Sequence, residues 1–416
     1  MFGMPGIVGE IRTHGPDECN YDKVILHCDL NNFYASVECL YKPELKAKPV
    51  AVGGSVEKRH GIILAKNQLA KMYGVRTGEP IWESVRKCPD LVIVPPDMSK
   101  YVKYSGMTAE IYARYTDIIE PFGIDECWLD VTGSIFLLGD GPHIADDIRK
   151  TIREELGLTV SVGVSWNKIF AKLGSDMKKP DATTVITRDN YKSLVWPLPV
   201  DDLLFVGRKT GAKLRRIGVN TIGKLAALDE AYLVSLFGKW GNSLYAFANG
   251  LDAGVVDKDW SSIKAKGIGN STTTPHDVSS YEDAKAVLTG LSESVARRMR
   301  EHRLKGRTVS LSLRDNDLEY RERQRCLNSH TYVSGDILDA AVSLLRENWD
   351  PRKDKPLRSL GVRMSSLEDE NVPVQLSLWD SDPNALKKES IDRTMDMIRE
   401  RFGDDSVIRG LMLRKR

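Results

Sequence analysis

Apolar and polar positions change period several times along this 416-residue chain. The first clear element is "KVILHC" (23–28), where Val24, Ile25 and Leu26 make the short unbroken apolar run of a buried strand. Behind it, Phe33, Val37 and Leu40 recur at helical spacing, with Asn32 placed to cap the helix. Residues 23–41 therefore predict a strand feeding a helix, and Asp29 falls at the strand's end. Residues 120–134, "EPFGIDECWLDVTGS", read as strand and turn. In 203–228, "LLFVGRKTGAKLRRIGVNTIGKLAAL", the spacing of Leu214, Ile217, Val219, Ile222 and Leu225 predicts helix, turn and helix. From about 255 to 368, "RTVSLSLRDND" and "LRSLGVRMSSLE" alternate like strands with one open face, while 281–303 and 335–348 return to helical spacing. Residues 384–403 predict a last helix with Ile391, Met395, Ile398 and Phe402 on one face.

The chain is longer than one hydrophobic core usually serves, so two to four domains are expected. Composition, 41% hydrophobic and 28% charged, is that of an ordinary globular protein and excludes wholesale disorder. No apolar run is long enough to span a bilayer, and residues 1–23 lack the basic start and apolar block of a signal peptide, so a cytoplasmic protein without membrane contact is expected. Cys19, Cys28, Cys39, Cys88, Cys127 and Cys326 are scattered without a CxxC pair, which indicates neither a zinc knuckle nor a disulfide framework.

Asp125 and Glu126 raise the first chemical question, because adjacent acids between apolar residues repel one another. A regular strand would send them to opposite faces, so bringing both to one point requires a tight turn or bulge, which Gly123 permits. Two readings stand: a turn with solvated acids, or a site for a hard cation such as Mg²⁺, which takes carboxylate oxygens and removes the repulsion. The second reading wants a further carboxylate. Asp29 supplies one from the end of a buried strand, and the Leu30 carbonyl a further oxygen.

The net charge of +2 conceals two basic clusters: 207–224, with Arg208, Lys209, Lys213, Arg215, Arg216 and Lys224 and no acid, and 297–307, with six basic groups against Glu301 alone. Either is readable as a solvated helix face; together they point to a polyanion such as nucleic acid.

These segments carry a specific likeness. "DLNNFYASVE" (29–38), "GIILAKNQLAKMYGV" (61–75), "GIDECWLDVT" (123–132), "SVGVSWNKIFAKLGSDMKKP" (161–180) and the glycine-punctuated stretch near 206–223 resemble, in order and spacing, the Y-family translesion DNA polymerases. "AKNQLAK" is closer to the UmuC-like branch of the bacterial enzymes. The resemblance implies an α+β multidomain fold, a right-hand polymerase with palm (21–34 and 95–190), fingers (35–94), a helical thumb with a helix–hairpin–helix element (191–254), a tether (255–267) and an α/β little finger (268–370), preceded by an N-terminal extension (1–20) and followed by a tail (371–416). It implies a low-fidelity, DNA-templated enzyme that moves a nucleotidyl unit from a dNTP to a primer 3′-hydroxyl, with two Mg²⁺ ions held by Asp29, Asp125, Glu126 and the Leu30 carbonyl.

Further roles follow from the same likeness. Tyr34 is the expected steric gate against a ribose 2′-hydroxyl, beside Phe33. Lys71 and Lys179 are expected on the triphosphate, and Gln68 stands where the family usually has Tyr. Lys168 and Lys172 read as decoration of a helix face. Gly207, Gly211, Arg215, Arg216 and Gly218 of the thumb, with Arg298 and Arg303 of the little finger, are expected to meet the backbone of primer–template DNA. In "VPVQLSLWDSD" (372–382), Gln375, Leu376, Leu378 and Trp379 resemble the short peptide by which bacterial polymerases dock on the sliding clamp. A monomer is the expected state. Two rivals are a different palm-type nucleotidyltransferase, such as a cyclase, and a catalytically silent DNA- or clamp-binding regulator.

Overall fold

The computed structural model describes residues 23–55, 61–259, 265–372 and 384–410. They fall into two compact units, one built on 23–54 and 62–259 and the other on 265–372 and 384–410.

The first unit opens with β1 (Ile25–Leu30), buried at all six positions, and α1 (Phe33–Tyr41). The chain then builds a small three-stranded sheet from β2 (Val50–Gly53), β3 (Ile63–Lys66) and β4 (Val92–Val94), in the order β3-β2-β4. Helices α2 (Gln68–Met72) and α3 (Ile81–Lys87) lie between β3 and β4 in sequence, and Ala70, Val75, Ile81, Cys88 and Leu91 make a separate core with Ala51 and Ile63. After α4 (Met98–Tyr112) come the hairpin β5 (Ile119–Pro121) and β6 (Glu126–Asp130), α5 (Ile135–Leu138), α6 (Gly141–Leu156), β7 (Val160–Ser165), α7 (Lys168–Met177) and β8 (Thr183–Val185).

The resulting five-stranded sheet runs β5-β6-β1-β7-β8, with β1 antiparallel to both neighbours. Alternation along β1 sends Leu26, Cys28 and Leu30 into a core shared with Ile111, Ile144, Ile148 and Ile152 of α4 and α6. His27 and Asp29 take the other face, which α7 covers. Helix and sheet meet there because β7 has Gly163 at the crossing: a Cβ would lie 2.5 Å from the backbone nitrogen of Ser175.

Helices α8 (Tyr191–Leu194), α9 (Arg208–Arg216), α10 (Ile222–Ala226), α11 (Glu230–Phe237) and α12 (Trp240–Ala248) follow. Leu214, Val219, Ile222, Leu225, Leu233 and Leu244 join Ile169, Phe170 and Leu173 of α7 in one core, so this helical bundle is founded on the helix that covers the His27–Asp29 face of the sheet. Ile217 departs from the expected apolar set and is 38% exposed. The stretch read as a tether begins by packing: Val256 is buried against Ile25, Trp128 and Ala171, and the Asp257 amide donates to Glu120 at 2.8 Å. One apolar residue in a polar run is enough to pin it.

The second unit is a four-stranded antiparallel sheet, β9 (Gly267–Val278), β10 (Leu304–Asp315), β11 (Tyr320–Thr331) and β12 (Leu357–Asp369), in the order β11-β10-β12-β9. Helices α13 (Tyr281–Glu301) and α14 (Ser334–Asn348) bury Leu288, Val295, Ile337 and Leu344 against Val309, Leu311, Leu313, Leu360 and Val362. A final helix, α15 (Ala385–Phe402), forms where the spacing predicts it, with Met395 and Ile398 half-buried. Ile391 and Phe402 are 49% and 67% exposed, and the helix docks through charge. Asp392, 5% exposed, accepts from the Ser334 amide and hydroxyl at 2.7 and 2.8 Å and pairs with Arg300; Arg399 pairs with Glu293 at 2.8 Å. Hydrophobic periodicity cannot foresee a helix whose contact face is ionic, since such a face is affordable only where every charge meets a partner.

Candidate active site

The β5–β6 hairpin brings the acids together. Phe122 and Gly123 amides both close on the Glu126 carbonyl, and the Leu30 amide donates to the Asp125 carbonyl at 3.0 Å, which ties the turn to the end of β1. No residue from Phe122 to Glu126 takes a positive φ, so the turn does not use the left-handed freedom expected of Gly123. Antiparallel register then sets Asp29 directly opposite Glu126. With Asp125 at the hairpin's end, three carboxylates from two strands reach one cavity of about 340 Å³.

That cavity gathers most of the expected site. Asp29, Leu30, Phe33, Gln68, Lys71, Asp125, Glu126 and Lys179 all line it. Asn67 caps α2 by accepting from the Ala70 amide and also receives the Val50 amide, which fixes the helix that carries Gln68 and Lys71. Tyr34 stands beside the lining: its ring stacks on Tyr101 with centroids 4.1 Å apart, and burial and the charge of Asp125 raise its phenol pKa. Lys66, Thr77, Asn31 and Asp176 are lining residues that motif reading missed.

Lys172 corrects the sequence expectation most sharply. It is 9% exposed and stands 3.2 Å from Asp29, 3.1 Å from Glu126 and 3.1 Å from Asp176. Burial works against its charge, but those carboxylates outweigh it and raise its pKa. Its place on α7, one turn before Asp176 and over Gly163, was the available signal. Lys179 adds a second ammonium 2.7 Å from Asp29. Lys168 also departs from the expected surface decoration: it is largely buried, pairing with Glu120 at 2.6 Å over the Trp128 ring.

The acids are electrostatically unequal. Burial, followed by the charges of Asp29 and Glu126, pushes the Asp125 pKa up to about 7. Burial would also raise Glu126, yet His27 and Lys172 hold it below the usual carboxylate range. Among the described residues no three acidic, histidine or cysteine side chains converge closely enough to ligate one cation as they stand; lysine ammonium groups neutralise the acids instead. The donor set nonetheless suits a divalent cation: three carboxylates supply hard oxygens to one cavity, and a cation there would relieve the burial and repulsion that raise Asp125.

The expected DNA contacts have mixed surroundings. Gly207 caps α9, Gly211 lies one turn inside it against Asp201, and Gly218 follows at φ 82°. Arg215 is paired with Asp201, whereas Arg216 is exposed. In the second unit the 297–307 cluster is partly committed: Arg297 pairs with Asp404, Arg300 with Asp392 and Asp396, and Arg298 donates to the Gly269 carbonyl at 3.0 Å. Arg303 is exposed at φ 53°. Gln375, Leu376, Leu378 and Trp379 lie outside the described residues.

A buried strand ending in an acid is thus opposed by an acidic hairpin and roofed by a lysine-bearing helix. The chain matches the impB/mucB/samB family over residues 28–176 and that family's C-terminal domain over 265–378, and it belongs to this family of Y-family polymerases. It is a DNA-directed DNA polymerase of the translesion class. It is 52% identical over 394 residues to DNA polymerase IV of Acetivibrio thermocellus, covering 95% of this chain and 98% of that protein. DNA polymerase IV of Clostridium kluyveri is 36% identical (94% and 99% covered), and DNA polymerase IV 2 of Bacillus subtilis 38% (94% and 95%). A solved Y-family DNA polymerase chimera of Dbh and Dpo4 shares the fold, with a TM-score of 0.73 at 22% identity, covering 83% of this chain and 99% of that one. No described helix is long and apolar enough to cross a membrane.

Proposed function

We propose that the chain extends primers with low fidelity past damaged template bases, transferring a nucleotidyl unit from a dNTP to the primer 3′-hydroxyl at the cavity lined by Asp29, Asp125 and Glu126. The observation that carries this reading is the cross-strand pairing of Asp29 with Glu126, which places acids almost a hundred residues apart in sequence on one buried edge. Asp29, Asp125, Glu126 and the Leu30 carbonyl would hold two Mg²⁺ ions, which when bound supply Lewis acidity at the attacking and leaving oxygens.

The chain's own groups do the rest. Lys71 and Lys179 line the cavity and present positive charge to a triphosphate, and Lys66 adds a third cation that the motifs do not mark. Gln68 offers an amide where the family's Tyr hydroxyl would be. Phe33 forms a wall, and Tyr34, braced on Tyr101, excludes a ribose 2′-hydroxyl. Arg216, Arg303 and the backbone around Gly207, Gly211 and Gly218 meet DNA phosphates, with lesser roles for Arg215 and Arg298. The peptide with Gln375, Leu376, Leu378 and Trp379 docks on a sliding clamp, and the enzyme works as a monomer.

Primer extension with Mg²⁺ on undamaged and abasic templates, beside Asp125→Asn, tests the reading. The wild type is expected to extend on both and the variant on neither, with DNA affinity retained. Full activity of Asp125→Asn would remove the metal assignment.

A further inference from the structure

Beneath the acids lies a polar layer that the chemistry above does not use. His27 shares Asp29's face of β1 and is 0% exposed, with Phe122 and Trp128 packed edge-on at centroid distances of 6.4 and 5.3 Å. Its Nδ1 stands 2.8 Å from Ser175 Oγ, which is itself 2.8 Å from the Lys172 carbonyl. Its Nε2 stands 3.4 Å from Glu126 Oε2 and has no hydrogen-bond partner.

A neutral imidazole carries one N–H, so the two nitrogens have opposite roles. With the proton on Nδ1, Ser175 accepts it and the bare Nε2 faces a carboxylate oxygen in a dry setting, where two acceptors have nothing to share. With the proton on Nε2, Ser175 turns its hydroxyl to Nδ1 and the N–H faces Glu126. The Lys172 carbonyl loses little in that arrangement, because it lies inside α7 and the helix ladder supplies a donor. Lys172 approaches the same Oε2 at 3.1 Å, so that oxygen is held from two sides.

We propose that His27 is a positioning residue for Glu126: Ser175 keeps the ring in its Nε2–H form, and that N–H fixes the rotation of the Glu126 carboxylate so that its other oxygen is left to the cavity. This rests on the metal-site reading above. Groups that orient a metal-binding side chain are commonly worth ten- to a hundredfold in metal affinity or rate.

Two substitutions separate orientation from mere packing. His27→Gln sets an amide N–H near the Nε2 position, whereas His27→Asn reaches only the Nδ1 side. For the Asn variant, Mn²⁺ affinity of the DNA-free protein is expected to fall about tenfold. Its kcat should fall with it, while the KM for dNTP and the affinity for primer–template stay unchanged; the Gln variant should recover most of both losses. Nitrogen-15 NMR of histidine-labelled, metal-free wild type should find the His27 proton on Nε2, a readout that needs neither variant to fold. A proton on Nδ1, or Gln and Asn variants that behave alike, would overturn the positioning role. Mn²⁺ binding unaffected by Asp29→Asn would instead overturn the metal-site reading and the positioning role with it.

Discussion

Asp29 and Glu126 face each other across adjacent antiparallel strands, and Lys172 reaches both from the helix above. The acids are thus positioned by sheet register and charge-balanced by the protein itself. A one-residue slip of β6 would send Glu126 into the apolar layer with Cys28 and Leu30, so register and the pairing of the acids are under one constraint.

Removing the lysine should expose that balance. Lys172→Met removes the ammonium beside Glu126 and leaves Asp29 with Lys179 alone, and breaking a buried ion pair typically costs about 3–5 kcal/mol. Thermal melts without divalent metal should show the loss, and saturating Mg²⁺ should restore part of it. A deficit of the same size with and without metal would mean Lys172 supports packing alone.

Asp125 gives a pH dependence with a definite sign. Its folded pKa, about 7, lies above the ordinary carboxylate value, so the native state binds more protons than the unfolded chain between about pH 4 and 7. Stability of the metal-free protein from this group is therefore present below its unfolded pKa and is lost as pH rises towards 7. Asp125→Asn should raise the metal-free melting temperature at pH 8 and leave it nearly unchanged at pH 4; equal effects at both pH values would contradict the burial argument.

Tyr34→Ala should increase ribonucleotide incorporation relative to deoxynucleotide, measured as the ratio of kcat/KM values. Because Tyr34 is stacked on Tyr101, the variant also loses an aromatic contact worth about 1 kcal/mol, readable as a small fall in melting temperature. An unchanged sugar preference would sink the gate and leave Tyr34 a packing residue.

Asp392→Ala should release the last helix. The change leaves Arg300, only 6% exposed, with Asp396 as its remaining carboxylate and removes the acceptor for the Ser334 amide, with an expected cost of about 1–3 kcal/mol to docking. Limited trypsin digestion should then cut at Lys387, Arg393 or Arg401 well before the rest of the second unit. Resistance equal to wild type would show that the apolar contacts of α15 suffice.

Where a periodic signal coincided with burial, the sequence was readable. The Val24–Leu26 run, the alternation in β10 and β12 and the helices at 281–301 and 334–348 all appear where patterning put them. Asp29, Asp125 and Glu126 were recognisable as a set because their types and motifs are distinctive, and the cavity does unite them. Lys172 was misread because helical lysines are ordinarily solvent-facing, and only the close crossing at Gly163 turns this one inward. His27 gave no signal at all: a histidine within a strand is unremarkable until the hairpin opposite is placed. The helix at 385–402 was legible from its apolar spacing, whereas its ionic docking through Asp392 and Arg399 was not, because that spacing is blind to charged partners.

The docked tail and the exposed basic groups answer ionic strength on different scales. Arg216 and Arg303 sit in water, where added salt screens their charge over about 10 Å and would weaken the contacts with DNA phosphates proposed for them. The Asp392–Arg300 and Glu293–Arg399 pairs are shielded from solvent, so the same salt scarcely reaches them. A salt gradient that strips the polymerase from its template therefore leaves the last helix seated, and elution from a DNA column recovers the protein with its tail still clasped to the second unit.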